Sequence, residues 1–316
     1  MPESVNAAQA AARAQAVFLR ACAWDVAVRK PGNVSRHSAG HRMQARMFLD
    51  SAQACAGPLC TPGATVGARI EGAVRATQAA VGCNTNLGIV LLCAPSALAF
   101  EALPADGQPA TTTALRQAWR GLMGDLTVAD AEHAYRAIAL ARPGGLGDAP
   151  QQDVREAPSL NLRAAMALAA GRDRIAAQYR DAGADLFEIG LTVLASRPGL
   201  TLLDADPFTV ESPNKAHIAA VQHLYLAFLA SAPDSHIVRK HGEALAHSVM
   251  KQAAPWLALA ERGEALDTQP GFAAWDETLK AQGINPGTSA DLTVASLMLW
   301  GLHGGLPAQA WGPGKP

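Results

Sequence analysis

The chain has 316 residues, 49% of them hydrophobic and 17% charged, and its 26 Lys and Arg against 27 Asp and Glu leave a formal charge of −1. That length and apolar content suffice for a sizeable core. The near-neutral balance and an aromatic content of only 5% exclude a general electrostatic footprint for nucleic acid and a base-stacking platform.

The pattern is helical along almost the whole chain. Residues 5–29 place Val17, Leu19, Cys22, Val26 and Ala27 near helical spacing, and Pro31-Gly32 ends that helix. Further helices are predicted over 44–56, 65–81, 87–101 and 111–122. The next, over 127–141, opens on Thr127 with Asp130 three residues later, a capping-box pattern, and stops at Arg142-Pro143-Gly144-Gly145. Helices over 159–170, 173–197, 213–231, 236–262, 271–282 and 288–303 complete the set. β-Branched runs are few, none is paired across an Asn-Gly turn, and alanine, the best helix former, is abundant throughout. The expectation is an all-α protein, a single large multi-helix bundle domain over residues 1–310 with a tail at 311–316. Pro/Gly-rich loops near 57–64, 142–158 and 201–213 are too short to be domain linkers.

No apolar run reaches the ~18 residues of a membrane span, and the N-terminus lacks the regions of a signal peptide. The five cysteines include no C-x-x-C pair and read as reduced thiols, with Cys55 and Cys60 near enough in sequence to approach one another. A cytoplasmic protein with no membrane and no nucleic-acid partner is expected.

Polar chemistry is concentrated in a few loops. Asp234-Ser-His-Ile-Val-Arg239-Lys240-His241-Gly242 packs an acid, two cations and two imidazoles into one short segment. Arg239 suits bidentate phosphate binding and Lys240 a point-charge contact, with Asp234 at the N-terminal end of the helix. Lys30-Pro31-Gly32-Asn33-Val34-Ser35-Arg36, followed by His41 and Arg42, is a sharp turn able to cradle a phosphate; the alternative is an ordinary helix end with solvated cations. Gly82-Cys-Asn84-Thr85-Asn86-Leu-Gly88 opens an apolar helix, where side-chain caps and backbone amides offer donors to an anion. Arg142-Pro-Gly-Gly-Leu-Gly147-Asp148 leads to Asp153 and Arg155, which read as a metal or acid/base group with a phosphate clamp, or as a surface ion pair. Asn285-Pro-Gly-Thr-Ser289-Ala-Asp291 is another helix start, where Asp291 complements the dipole or holds a cation. Asp185 and Glu188, at i,i+3, suit a magnesium ion carrying nucleotide phosphates, or form a solvated face. His217, His223 and His247 lack metal-ligand spacing and read as core or surface residues.

Together these segments resemble the triphosphoribosyl-dephospho-CoA synthase family. The matching pieces are Lys30-Pro-Gly32, Asn84-Thr85 with Gly88, Asp234 followed by Arg239 and a glycine, and Asn285-Pro-Gly287 with Ser289-Ala-Asp291. The resemblance implies an all-α enzyme in which the ribose 2′-hydroxyl of 3′-dephospho-CoA attacks the anomeric carbon of ATP, adenine leaves, and a triphosphoribosyl unit is transferred. It also implies ATP as substrate, Mg²⁺ as cofactor and small-molecule nucleotides as partners, with a homodimer left open. Where relatives carry His-Lys after Asn-Thr, this chain has Asn86-Leu87, and Ser35 stands where they tend to carry an acid. The Arg-Lys-His-Gly segment and the Pro-Gly-Gly-Leu-Gly loop look like a divergent branch found in archaea and methylotrophic bacteria.

On this reading Lys30, Gly32, Asn33, Arg36, Asn84, Thr85, Gly88, Arg155, Arg239, Lys240, Asn285 and Ser289 bind nucleotide or phosphate. Asp234, Asp153 and Asp291 are the catalytic candidates, and Asp185, Glu188 and Asp234 the metal candidates. Two rival readings are a step in tetrahydromethanopterin-linked one-carbon cofactor biosynthesis and a non-catalytic nucleotide-binding helical protein. The second rival predicts that Asp234, Arg239 and Asp291 lie far apart and solvated.

Overall fold

The computed structural model describes residues 2–104, 110–145, 151–197, 200–201, 207–208 and 215–303. Among these residues the secondary structure is helical, with only two isolated β-bridges in the loop between the first two helices. The helices are α1 (Pro2–Ala27), α2 (Ala45–Leu59), α3 (Val66–Val81), α4 (Leu87–Glu101), α5 (Thr112–Asp125), α6 (Val128–Ala141) and α7 (Leu162–Ala169). They continue as α8 (Arg174–Arg180), α9 (Leu191–Ala195), α10 (Lys215–Ser231), α11 (Ser235–His241), α12 (Glu243–Glu261), α13 (Pro270–Ala281) and α14 (Gly287–Leu302). The all-α expectation holds. Gly147, Asp148 and the tail at 311–316 lie outside the described residues.

Two predicted helices are divided. The 236–262 segment breaks at Gly242, whose φ of +87° is open to glycine but strained for other residues, so α11 ends there and α12 begins. The 173–197 segment breaks after α8, where Ala182 and Gly183 both adopt positive φ, and resumes through a π-helical turn at Leu186–Gly190 before α9. The capping box of α6 forms as its sequence predicts: Thr127 Oγ1 accepts from the Asp130 amide, and the Asp130 carboxylate accepts from the Thr127 amide.

α4 and α14 are buried on nearly every side, as expected of helices that are apolar all round. They pack against each other, and α1 packs on both. The larger core cluster surrounds this pair with Phe18, Trp24, Leu59, Ile70, Trp119, Tyr179 and Phe228. A smaller cluster, with Tyr225, Ile237, Phe272 and Ile284, ties α10 through α13 beneath the N-terminus of α14. A buried carboxylate anchors the first polar turn here: Asp276 accepts from the Gly32 amide at 2.9 Å and pairs with Arg29 and Lys280, both at 2.9 Å.

Candidate active site

The two central helices begin at the same place. Asn84 Oδ1 caps the approach to α4 by accepting from the Leu87 amide at 3.1 Å. Gly88, in the first turn of α4, lies against Asp291 of α14, and a β-carbon there would stand 2.0 Å from Asp291 Oδ2. A missing side chain is therefore what lets the helices bring their N-termini together. Both positive dipole ends and their free amides face a cavity of about 230 Å³. Its walls carry Asn33, Asn84, Thr85, Arg239, Asn285 and Asp291, which come from four separate stretches of the chain.

Four carboxylates line this cavity: Asp25, Asp153, Asp173 and Asp291. Asp173 is occupied, since Oδ1 caps α8 by accepting from the Ile175 and Ala176 amides and Oδ2 pairs with Arg239 Nη1 at 3.1 Å. Asp153 pairs with Arg155. Asp25 lies 3.1 Å from Lys30 Nζ, yet its Oδ1 makes no hydrogen bond. Burial raises the Asp25 carboxyl above its ordinary range, and Lys30 opposes the shift. Asp291 has no hydrogen-bond or ion-pair partner among the described residues. Burial, followed by repulsion from Asp234, Asp25 and Asp173, pushes Asp291 well above the usual carboxylate range, and Arg239 only partly offsets this.

Arg239 reaches the cavity from α11 and also donates to the Gly144 carbonyl at 3.0 Å, which ties the Arg142–Gly145 loop to α11. His236, one turn earlier, is held neutral. Burial and then the cations Lys240 and Arg239 push its imidazole down to about 3, and its buried Nε2 has no hydrogen-bond partner. Lys240 lines a second, adjoining cavity.

Several predicted residues act at one remove from the cavity. Lys30 is fully buried, does not line the cavity, and donates to Asn33 Oδ1 at 2.7 Å while pairing with Asp25. Asn33 in turn donates to Asn285 Oδ1 at 3.0 Å. The Lys30 ammonium thus orients cavity residues, and its burial keeps it from gripping a phosphate. Thr85 lines the wall, but its hydroxyl donates to Ser51 Oγ at 2.6 Å.

Asp234 is a correction of the same kind. It is 1% exposed, and both oxygens are filled: Oδ1 accepts from the His236 and Ile237 amides, and Oδ2 from the Ser289 amide and hydroxyl, both at 2.8 Å. It therefore clamps α11 to the start of α14 together with Ser289, and neither residue lines the cavity. Gly32 also lies off the cavity, where it contributes its amide to Asp276.

Three further residues sit elsewhere. Arg36 donates to the Pro207 carbonyl, Arg155 is exposed in its pair with Asp153, and neither lines the cavity. Asp185 pairs with Arg174 at 2.6 Å and accepts from Gln178, while Glu188 pairs with Arg116. Asp185, Glu188 and Asp234 therefore do not form the predicted metal group, because each is already partnered by its own neighbours. Among the described residues no three His, Cys, Asp or Glu side chains are grouped to hold a metal.

The residues that sequence reasoning missed are Asp25, Asp173, Arg172 and His236, all on the cavity wall. Asp25 does carry a local signal, being a single acid inside the apolar run Ala21 to Val28. Asp173 reads as an ordinary cap.

An all-α chain that sets two helix N-termini, an unpaired carboxyl and a guanidinium around one cavity has the makings of a phosphate-handling helical transferase. The chain belongs to the CitG family, ATP:dephospho-CoA triphosphoribosyl transferase, whose model matches residues 11–309. A crystal structure from Archaeoglobus fulgidus, provisionally described as a triphosphoribosyl-dephospho-CoA synthase, shares the fold. It is 21% identical, with a TM-score of 0.59, and the match covers 81% of this chain and 98% of that one. No curated protein matches the chain. The family match supports the transfer reading and favours neither rival. Arg239 and Asp291 share one cavity with Asp234 directly behind it, contrary to the dispersed arrangement that a non-catalytic protein predicts. No helix among the described residues is long and apolar enough to cross a membrane.

Proposed function

We propose that residues 1–310 act as one transferase domain that moves the triphosphoribosyl unit of ATP to 3′-dephospho-CoA inside this cavity. The observation that carries the reading is Asp291, an unpartnered carboxyl with a raised pKa at the joint N-termini of α4 and α14. Its neutral form is the proton donor for departing adenine. Asp25, less strongly raised, is the base. Two carboxyls whose environments push their pKa values apart divide acid and base work between them.

In the step, the acceptor 2′-oxygen bonds to the anomeric carbon of ATP as the bond from that carbon to adenine breaks. The hydroxyl proton passes to Asp25, and the Asp291 proton passes to adenine. Exchange with solvent then restores both carboxyls. Positive charge developing at the anomeric carbon is offset by the ionised Asp25, while Arg239 and the helix N-termini hold phosphate oxygens. Magnesium fits best as part of the substrate, bound to the nucleotide's own phosphates. In that regime the ion needs one or two protein carboxylates at most.

The test is adenine release by the purified chain with ATP, Mg²⁺ and dephospho-CoA. Release is expected from wild type, with kcat at least about a hundredfold lower for Asp291→Asn, the lower bound for losing a general acid. A folded wild-type protein that releases no adenine would reject the reaction.

A further inference from the structure

Beside the acid-lined cavity lies a second one of about 680 Å³, and the two share Met43, Asn84, Gly144, His236 and Asn285 in their walls. They are therefore adjoining chambers of one site. Their chemistry is opposite in character. The outer chamber has no Asp or Glu in its wall, and it carries Arg42, Arg142 and Lys240. None of these three cations has a hydrogen-bond or ion-pair partner among the described residues. They converge from the loop before α2, the end of α6 and the end of α11. All three are exposed to solvent, yet they line one cavity whose wall offers no carboxylate, which makes it a ready site for an anion.

The backbone gives an independent sign. Among the described residues five other than glycine adopt positive φ, and three of them, His41 at 54°, Arg42 at 62° and Arg142 at 46°, line the outer chamber. At Arg142 the left-handed backbone also ends α6, but His41 and Arg42 lie at no helix end, and such strain in residues other than glycine tends to collect where it serves a ligand. A glycine at Arg42 or Arg142 would relieve it, yet both positions hold a cation.

We propose that the outer chamber binds the polyphosphate chain of a nucleotide substrate through Arg42, Arg142 and Lys240, and so presents its ribose to the carboxyls of the inner cavity. This rests on the transferase reading above. It adds Arg42 and Arg142 to the phosphate-binding residues, places Lys240 beside them, and divides the site into an anion-binding chamber and a reaction chamber. His236, neutral and on the wall of both chambers, can accept or donate a hydrogen bond at their junction without altering the charge.

The experiment uses the full chain and inorganic tripolyphosphate, titrated calorimetrically into wild type, Arg42→Gly, Arg142→Gly, the double variant and Asp291→Asn. KM is measured for ATP and for dephospho-CoA. Replacement by glycine removes the charge and relieves the positive φ together, so each single variant is expected to melt no lower than wild type. Each is expected to bind tripolyphosphate about tenfold or more weakly, as for loss of a charge-assisted hydrogen bond. Asp291→Asn is expected to keep wild-type affinity. A raised KM for ATP alone assigns the chamber to the donor, and one for dephospho-CoA alone assigns it to the acceptor.

The proposal is overturned if wild type does not bind tripolyphosphate. It is equally overturned if the double variant, folded, keeps wild-type affinity and both wild-type KM values. Adenine release at wild-type KM by the double variant removes the outer chamber and leaves the transfer reaction standing. Tripolyphosphate binding that depends on both arginines, in a protein that never releases adenine, does the reverse.

Discussion

At the scale of single residues, Asp25 and Asp291 are both carboxyls in one cavity, and they differ in what stands next to them. Asp25 has Lys30 at 3.1 Å, whereas Asp291 has other carboxyls and the bare Cα of Gly88. Removing half of a buried ion pair leaves the other charge stranded, so Asp25→Asn should destabilise the fold by about 3 kcal/mol or more in denaturant titration. Asp291→Asn has the opposite expectation. The folded pKa of Asp291 is raised, so its contribution to stability is fully present below the unfolded value of about 4 and is lost as pH rises toward the folded value. Wild type and Asp291→Asn should therefore melt together at low pH, and the variant should melt higher as pH increases. A variant that melts lower at neutral pH would show Asp291 to be stabilised by a partner. Activity adds a second pH signature. The rate should rise as Asp25 ionises and fall as Asp291 ionises, and Asp291→Asn should remove the falling limb.

At the scale of elements, the site depends on how α4, α11 and α14 are joined. Gly88→Ala would ordinarily favour a helix, but here its β-carbon meets Asp291 Oδ2 at 2.0 Å. The expected result is lost adenine release and a lower Tm, with Tm partly restored by adding Asp291→Ala. Additive losses in that double-mutant cycle would show that the two residues do not touch. Asp234→Ala removes the clamp between α11 and α14 and leaves the Ile237 amide and the Ser289 amide and hydroxyl without this acceptor, so it should cost about 2–4 kcal/mol. Its loss of activity should track its loss of folded protein in a thermal melt monitored alongside the assay.

These elements are unevenly legible in the sequence. The starts of α4 and α14 were visible because Asn, Thr, Ser and Asp clustered before apolar runs signal a helix N-terminus. Asp234 is legible for the same reason, but a cap and a catalytic acid look alike in sequence until the partners of both oxygens are known. Lys30 was visible as a cation beside Pro-Gly. Only packing shows that it points inward, beneath Tyr225 and toward Asp25.

At the scale of the whole molecule, acid stability should reflect the contact between α3 and α6. Burial alone would raise Glu71, but hydrogen bonds from Arg136, Arg75 and His133 hold it down to about 2. A depressed folded pKa contributes stability above the unfolded value, and that contribution is lost as pH falls toward 2. Glu71→Gln should therefore lower Tm at neutral pH, with the difference from wild type shrinking on acidification between about pH 4 and pH 2. A constant difference would locate the effect in packing. The same scale governs the cavity, since its walls come from segments between Asp25 and Asp291 that meet only when α4 and α14 are enclosed together.

Helical periodicity, abundant alanine and polar caps determined by themselves that the chain is all-α and roughly where most helices start, though not the breaks before α9 and α12, because those signals act over a few neighbouring residues. The resemblance of the loop motifs also carried the family. Tertiary structure alone decided that Asp25 faces the cavity, that Asp234 and Lys30 support it from behind, and that Asp185 and Glu188 belong to other neighbours. Burial, pairing and pKa depend on residues distant in the chain, and no local pattern encodes which of two similar carboxyls will be left without a partner.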